Sequence, residues 1–263
     1  MIRLAVAGAA GKMGRRIVAL AGQCDEFSVV AALEQPGHTS LGSDVGGVAG
    51  IGDVQVAIQA STNADFDVLI DFSCPDGTMR WLERCLAVKR AIVIGTTGHA
   101  PEQIERIERA AKTIPVLKAA NMSVGVNLML KLAGQVAASL GEDYDVEIVE
   151  THHRFKVDAP SGTALALRDS IIEATGRYAA KDVVYGRRGE TGKRPRQQIA
   201  IHALRVGDTV GEHEVHFGNL GETLVLRHAA HTRDTFASGA LRAAAWLAGK
   251  PAGRYDMHDV LGL

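Results

Sequence analysis

Residues 2–14, Ile-Arg-Leu-Ala-Val-Ala-Gly-Ala-Ala-Gly-Lys-Met-Gly, decide the fold of this 263-residue chain. Residues 4–7 read as a buried strand, and a helix is predicted through about Ala21. Between them Gly8, Gly11 and Gly14 stand in GxxGxxG spacing. A dinucleotide turn needs glycine where the chain reverses, where backbone meets pyrophosphate and where helix packs on strand. The helix start then offers N–H groups to the phosphates. Ala10 stands where the commoner fingerprint has its middle glycine, so the turn alone is a weak signal. Its context is stronger. Glu34 follows Gly14 by 20 residues, at the end of a second predicted strand (28–33), where a carboxylate can accept both ribose hydroxyls of NAD.

Outward from this turn, short apolar runs alternate with helical stretches. Residues 67–72, 91–95 and 114–118 read as strands, with helices over 78–88 and 104–111. Such alternation implies βαβ units and a parallel sheet covered on both faces. Gly95-Thr96-Thr97 and Ala119-Ala120-Asn121-Met122 follow two of these strands. Cofactors lie beyond the carboxyl ends of such strands, although segments of this kind are more often plain loops. From Ser123 the pattern changes. Leu128, Leu132, Val136 and Leu140 form one helical stripe, and three later runs (197–204, 210–217, 223–228) with glycine-containing turns predict an antiparallel sheet. A polar stretch, 185–196, reads as a mobile loop. An Ala-rich helix over 235–248 is expected to pack back on the first domain. Two domains are therefore expected, α/β then α+β.

Composition narrows the function. Lys and Arg number 29 against 30 Asp and Glu, which leaves no electrostatic footprint for nucleic acid or an acidic membrane. A hydrophobic fraction of 46% argues against large-scale disorder. The three cysteines share no metal-ligand spacing and fit a reducing, cytoplasmic location. No apolar run reaches the roughly 18 residues that span a bilayer. The N-terminal apolar run is short and followed at once by Lys12, Arg15 and Arg16, so it reads as a strand rather than a signal peptide.

The densest chemistry lies in His152-His153-Arg154-Phe155-Lys156-Val157-Asp158-Ala159-Pro160-Ser161-Gly162-Thr163. In extended backbone His152, Arg154 and Lys156 share one face and His153 takes the other. Adjacent histidines so placed are poorly set to chelate one ion, and no metal is expected. By composition alone the segment is equally a basic, solvated strand end. The helix predicted to start at 160–163 tips the reading. Cations upstream and helix N–H donors downstream make a carboxylate-binding corner, with a histidine and a lysine able to move protons. Ser161 lacks a G-x-S-x-G elbow and reads as a cap or substrate contact.

These segments, with Asp71-Phe72-Ser73 and residues 210–217 and 256–263, resemble the 4-hydroxy-tetrahydrodipicolinate (dihydrodipicolinate) reductase family nearly end to end. The HHRxKxDAPSGTA segment is the most specific part. The resemblance implies that the first domain is a Rossmann-type parallel sheet (1–122 with 236–263) and the second a smaller α+β domain (123–235). It implies a homotetramer in which NADH or NADPH reduces a small cyclic dicarboxylate imine, water being lost from the 4-hydroxy substrate. It implies a proton donor/acceptor at His152, a proton donor at Lys156, and substrate contacts at His153, Gly162 and Thr163. Cofactor contacts are implied at Gly8, Ala9, Ala10, Gly11, Lys12, Met13, Glu34, Gly95, Thr96, Thr97, Ala119, Ala120, Asn121 and Met122. Gln35 and Cys74 stand where familiar members carry arginines near the adenosine 2′-position. That leaves Lys12 as the nearest candidate cation and predicts use of both cofactors. Other two-domain NAD(P) oxidoreductases share the glycine turn without the histidine segment. A dinucleotide-binding redox sensor would need an effector module, and no such pattern is evident.

Overall fold

The computed structural model describes all 263 residues. In chain order the elements are β1 (Ile2–Ala7), α1 (Lys12–Ala21), β2 (Phe27–Leu33), α2 (Val45–Ala49), β3 (Ile58–Gln59), β4 (Val68–Asp71), α3 (Pro75–Val88), β5 (Ala91–Ile94), α4 (Pro101–Ala110) and β6 (Pro115–Lys118). There follow α5 (Val124–Leu140), β7 (Asp145–His152), α6 (Gly162–Thr175), β8 (Val183–Tyr185), β9 (Ile199–Arg205), β10 (Gly211–Asn219), β11 (Glu222–Ala230), α7 (Asp234–Leu247), β12 (Gly253–Tyr255) and α8 (Met257–Leu261). They form two compact units, residues 1–124 with 233–263, and residues 125–232.

The first unit is a seven-stranded, all-parallel sheet in the order β12-β6-β5-β4-β1-β2-β3. Strand side chains alternate between faces, and both faces are buried. Leu4, Val6, Val68 and Ile70 join one core with Ile17 and Val18 of α1 and Ala240 and Leu247 of α7. Ala5, Ala7, Leu69 and Ile92 join the other with Leu82 of α3 and Ile107 of α4. The Ala-rich helix thus packs back on the parallel sheet, as expected. Winding reverses between β1 and β4, and a doubly wound sheet opens a ligand crevice beyond the strand ends at that point.

In the second unit β7, β9 and β10 place Val146, Ile148, Ile199, Ile201, Val215 and Phe217 against α5 and α6. The sheet runs β11-β10-β7-β9-β8 and is mixed, not antiparallel as its turns suggested. β10 and β11 do form a hairpin through Leu220-Gly221. β9 instead runs parallel to β7, which lies between it and β10. The glycine loop after β9 therefore pairs with the histidine segment: Val206 N–H donates to His152 O at 2.9 Å and Arg154 N–H to Gly207 O at 3.1 Å.

Along α5 the aliphatic stripe is split: Leu128 and Leu132 are exposed and Val136 and Leu140 are partly buried against the core, while Met129, Ala133 and Ala137 are buried. Close approach to α6 explains it: a Cβ on Gly134 would lie 3.0 Å from Ser170 O and from Ala174 Cβ. Small residues let the helices touch. The polar stretch at 185–196 contacts β7, with Arg187 donating twice to the Glu147 carboxylate at 2.9 and 2.7 Å and Arg194 Nε once at 2.9 Å.

Candidate functional site

In the first unit the glycine turn lies at the β1–β4 switch point. Gly8 has φ +73°, and a Cβ there would sit 2.3 Å from Phe72 O, so only glycine fits. A Cβ on Gly14 would lie 2.1 Å from Gly8 O, which is the close helix–strand approach the motif requires. Gly11 caps α1 without a side-chain hydrogen bond, so no side chain takes up the N–H groups of the first turn. Glu34 Oε1 accepts the Ala10 N–H at 2.9 Å, and Oε2 accepts that of Gln35 at 3.3 Å. The acidic residue predicted to hold ribose is thereby bound to the turn predicted to hold phosphate. Ala9 and Ala10 are buried, Met13 is partly buried and Lys12 is exposed. A cavity of about 480 Å³ adjoins the turn, lined by Gly8, Gly11 and Glu34 and, across from them, Phe72 and Cys74.

The segments after β4 and β5 are held together by a carboxylate, Asp71, that was given no role from the sequence. Asp71 is fully buried. It accepts from Ser73 Oγ at 2.5 Å, Thr96 Oγ1 at 2.9 Å and Thr78 Oγ1. Burial raises its pKa against those three hydroxyls. The Thr96 hydroxyl is thus committed to Asp71, which leaves its backbone for a ligand. Gly95 is needed because a Cβ would meet the Phe72 ring at 2.3 Å. Thr97 is exposed. Ala119 N–H donates to Ile94 O at 3.1 Å, and Asn121 Oδ1 accepts the Ser123 N–H at 2.9 Å. Ala120 is exposed. The Met122 side chain lies in the core, and its carbonyl lies where a Cβ on Gly239 would be.

In the second unit β7 ends at His152, and its alternation puts Glu150 on the same face. Glu150 is fully buried. His152 Nδ1 lies 2.5 Å from Glu150 Oε2, and Ser161 N–H donates to Oε1 at 3.0 Å. Arg205 on β9 closes on both oxygens at 2.9 Å. One carboxylate therefore joins the end of β7 to the start of α6. Burial works to raise the Glu150 pKa, but Arg205 and His152 hold it below the usual range. Burial lowers the His152 pKa against the pull of Glu150, so at neutral pH the imidazole carries one proton. Because Nδ1 faces a carboxylate that can only accept, that proton is assigned to Nδ1, leaving Nε2 as the acceptor. Gly211 makes room for Nε2, since a Cβ there would stand 3.0 Å from it.

The remaining predicted residues fall around this pair, with one correction. The chain does not stay extended past His152: Lys156 N–H donates to His153 O at 3.1 Å, closing a turn over 153–156. The shared face of His152, Arg154 and Lys156 is lost. Lys156 instead reaches Asp158, with Nζ 2.9 Å from both carboxylate oxygens. The His153 ring lies 6.2 Å from that of Phe155. Ser161 caps α6 by accepting the Ala164 N–H at 3.2 Å. Gly162 and Thr163 form the first turn of α6, and Gly162 has open space where a side chain would stand.

His213, like Glu150 and Arg205, was not singled out from the sequence. It is 4% exposed, packs edge-on against His152 at 5.2 Å, and its Nε2 lies 3.0 Å from Ser161 Oγ. Burial, then the neighbouring His152, pushes its pKa from 6.5 down to about 3. Between those values the unfolded chain binds more protons than the folded one, so stability falls as pH drops through that window. His213→Gln is expected to flatten the decline of Tm measured from about pH 7 to about pH 5. An unchanged slope would mean that His213 is not held neutral.

Comparison with known proteins places both sites in one family. A family model described as "Dihydrodipicolinate reductase, N-terminus" matches residues 2–122, and one described as "Dihydrodipicolinate reductase, C-terminus" matches residues 125–261. Proteins named 4-hydroxy-tetrahydrodipicolinate reductase from Alkalilimnicola ehrlichii and Geobacter metallireducens are each 48% identical. The first alignment covers 99% of both chains and the second 100%. A solved structure titled as dipicolinate-bound dihydrodipicolinate reductase from Paenisporosarcina sp. TG-14 superposes with a TM-score of 0.77 at 26% identity, over 97% of each chain. An amine dehydrogenase from Mycobacterium smegmatis shares the fold, with a TM-score of 0.63 at 13% identity over 96% of this chain and 94% of its own. The chain belongs to the dihydrodipicolinate reductase family.

Proposed function

We infer that this chain reduces 4-hydroxy-tetrahydrodipicolinate to tetrahydrodipicolinate with NADH or NADPH, releasing water, in the synthesis of diaminopimelate and lysine. The observation that carries this reading is the buried Glu150–His152 pair, joined through Ser161 to the open helix start at Gly162. The first unit fits a dinucleotide. Gly8 and Gly14 are sterically required, the helix start is uncapped by any side chain, and Glu34 stands at the adjoining cavity. Gly8, Ala9, Ala10, Gly11, Lys12 and Met13 would hold the pyrophosphate. Glu34 would hold the ribose, while the backbone of Gly95, Thr96, Thr97 and of Ala119, Ala120, Asn121, Met122 would line the nicotinamide end. Bound there, NAD(P)H supplies the hydride that adds to C4 of the ring.

The net reaction takes up one hydride and one proton and releases one water, so the protein must supply and shuttle protons. His152 takes or gives a proton at Nε2 while Glu150 holds Nδ1–H. Lys156 gives a proton from Nζ, exchanging Asp158 for the substrate. His153, with the N–H groups of Gly162 and Thr163, holds a ring carboxylate at the positive end of α6. Pyridine-2,6-dicarboxylate, the ligand of the Paenisporosarcina relative, presents two such carboxylates on a planar ring. It is expected to compete with the substrate. Gly162→Val is expected to raise both its inhibition constant and the substrate KM at least about tenfold with little change in Tm, because the added side chain fills only ligand space. Non-competitive behaviour, or an unaffected KM, would remove the carboxylate site from α6.

Assembly and location complete the reading. Leu204 and Val225 lie on the face of the second sheet opposite its helix-covered face and are about half exposed, apolar positions suited to covering by further copies in a homotetramer. No helix is long and apolar enough to cross a membrane, in keeping with a cytoplasmic enzyme. Light scattering should report four chains of 27.9 kDa.

A further inference from the structure

The cavity beside the glycine turn holds one arginine. Its charged lining consists of Glu34 and Asp76, both acidic, and Arg80 from α3; Lys12 is not part of the wall. The Arg80 head group has two contacts. An Nη2–H donates to Ala60 O, and the guanidinium lies 5.0 Å over the Trp81 ring. Ala60 directly follows β3, whose Gln59 O accepts the Glu34 N–H at 3.0 Å. The guanidinium is thus anchored next to the strand end that presents Glu34 and Gln35. It makes no ion pair, whereas Arg3, Arg16 and Arg90 of the same unit are all paired with aspartates. Its other N–H donors face no carboxylate.

We propose that Arg80 is the specificity-determining residue that admits a phosphate monoester on the ribose 2′ position, and so makes NADPH a cofactor of this chain. The proposal rests on the dinucleotide reading of the cavity. A 2′-phosphate brings about −1.5 to −2 of charge, by analogy with phosphorylated side chains, into a wall that already carries Glu34. Unless a cation answers that charge, NADPH is repelled and NADH alone is bound. Gln35 and Cys74 carry no positive charge, and Lys12 lies outside the wall. A guanidinium meets phosphate with two parallel N–H donors, a geometry that lysine lacks. Its attachment to Ala60 and Trp81 means that little side-chain freedom is lost on binding.

The test is a fluorescence titration of NADPH and NADH on wild-type protein, Arg80→Ala and Arg80→Lys, with no substrate present. In Arg80→Ala, NADPH affinity should fall about ten- to a hundredfold, while NADH affinity stays within about twofold, reporting an intact fold. Arg80→Lys should recover part of the loss. In wild-type protein NADPH affinity should fall relative to NADH affinity as salt is added, whereas in Arg80→Ala that ratio should not fall. Equal losses for both cofactors, or unchanged NADPH affinity, would overturn the proposal. Failure of the reductase reading looks different: wild-type protein would then turn over no dicarboxylate substrate with either cofactor, whatever the titrations show.

Discussion

His152→Gln and Lys156→Ala are each expected to lower kcat by about a hundredfold or more while leaving NADH affinity unchanged. Removal of a positioned acid or base typically costs about 10²–10⁴ in rate. Both residues belong to the second unit, and the residues proposed to hold NADH belong to the first. In His152→Gln the amide can still hydrogen-bond Glu150 but cannot exchange a proton at neutral pH, so binding and chemistry separate. Lys156 Nζ is paired only with Asp158, whose side chain is 57% exposed. Its removal therefore strands no buried charge and should cost little stability. The measurements are kcat, substrate KM and an NADH titration on each variant. A variant retaining near wild-type kcat would lose its assigned role.

Glu150→Gln is expected to reduce kcat by roughly 10²–10⁴-fold, since a carboxylate that fixes a histidine tautomer can carry that much of the rate. Glu150 touches no substrate in this account. It acts by accepting the Nδ1 proton of His152 at 2.5 Å, which keeps Nε2 available. A glutamine amide can present an N–H to Nδ1 instead and so stabilise the opposite tautomer. Substrate KM should change little. The acid limb of the kcat profile should move to lower pH, because a negative charge that favours imidazolium is gone. Glu150→Asp should recover part of the rate. A loss confined to thermal stability, with kcat and its pH profile intact, would reduce Glu150 to a structural role.

The parallel sheet was legible because both of its faces are buried, which makes continuous apolar runs such as residues 68–70 stand out between helical stretches. The glycine turn was legible because Gly8 and Gly14 answer to steric demands written into the motif. The mixed sheet was not. A glycine loop between two strand-like runs looks the same whether the runs pair with each other or flank a third strand, and only β7 settles that here. The α5 stripe marked a helix but not its buried face, since Leu128 and Leu132 are exposed. Gly134 lets α6 come close, so small residues take the inside.

At the site, His152, Gly162 and Glu34 could be named from motif and spacing. Glu150 could have been found from strand alternation, two residues before His152. Arg205 and His213 come from strands 52 or more residues downstream of Glu150 and Ser161 respectively, and no local pattern ties them to the histidine segment. Arg80 was hidden for a similar reason. On a helix it reads as one more solvated charge until α3 is placed across from Glu34.

The most direct measurement is NAD(P)H oxidation by the purified chain with freshly generated 4-hydroxy-tetrahydrodipicolinate. Turnover is expected with NADH and with NADPH, with one reduced cofactor consumed per substrate and competitive inhibition by pyridine-2,6-dicarboxylate. Oxidation no faster than the substrate-free rate with both cofactors would contradict it.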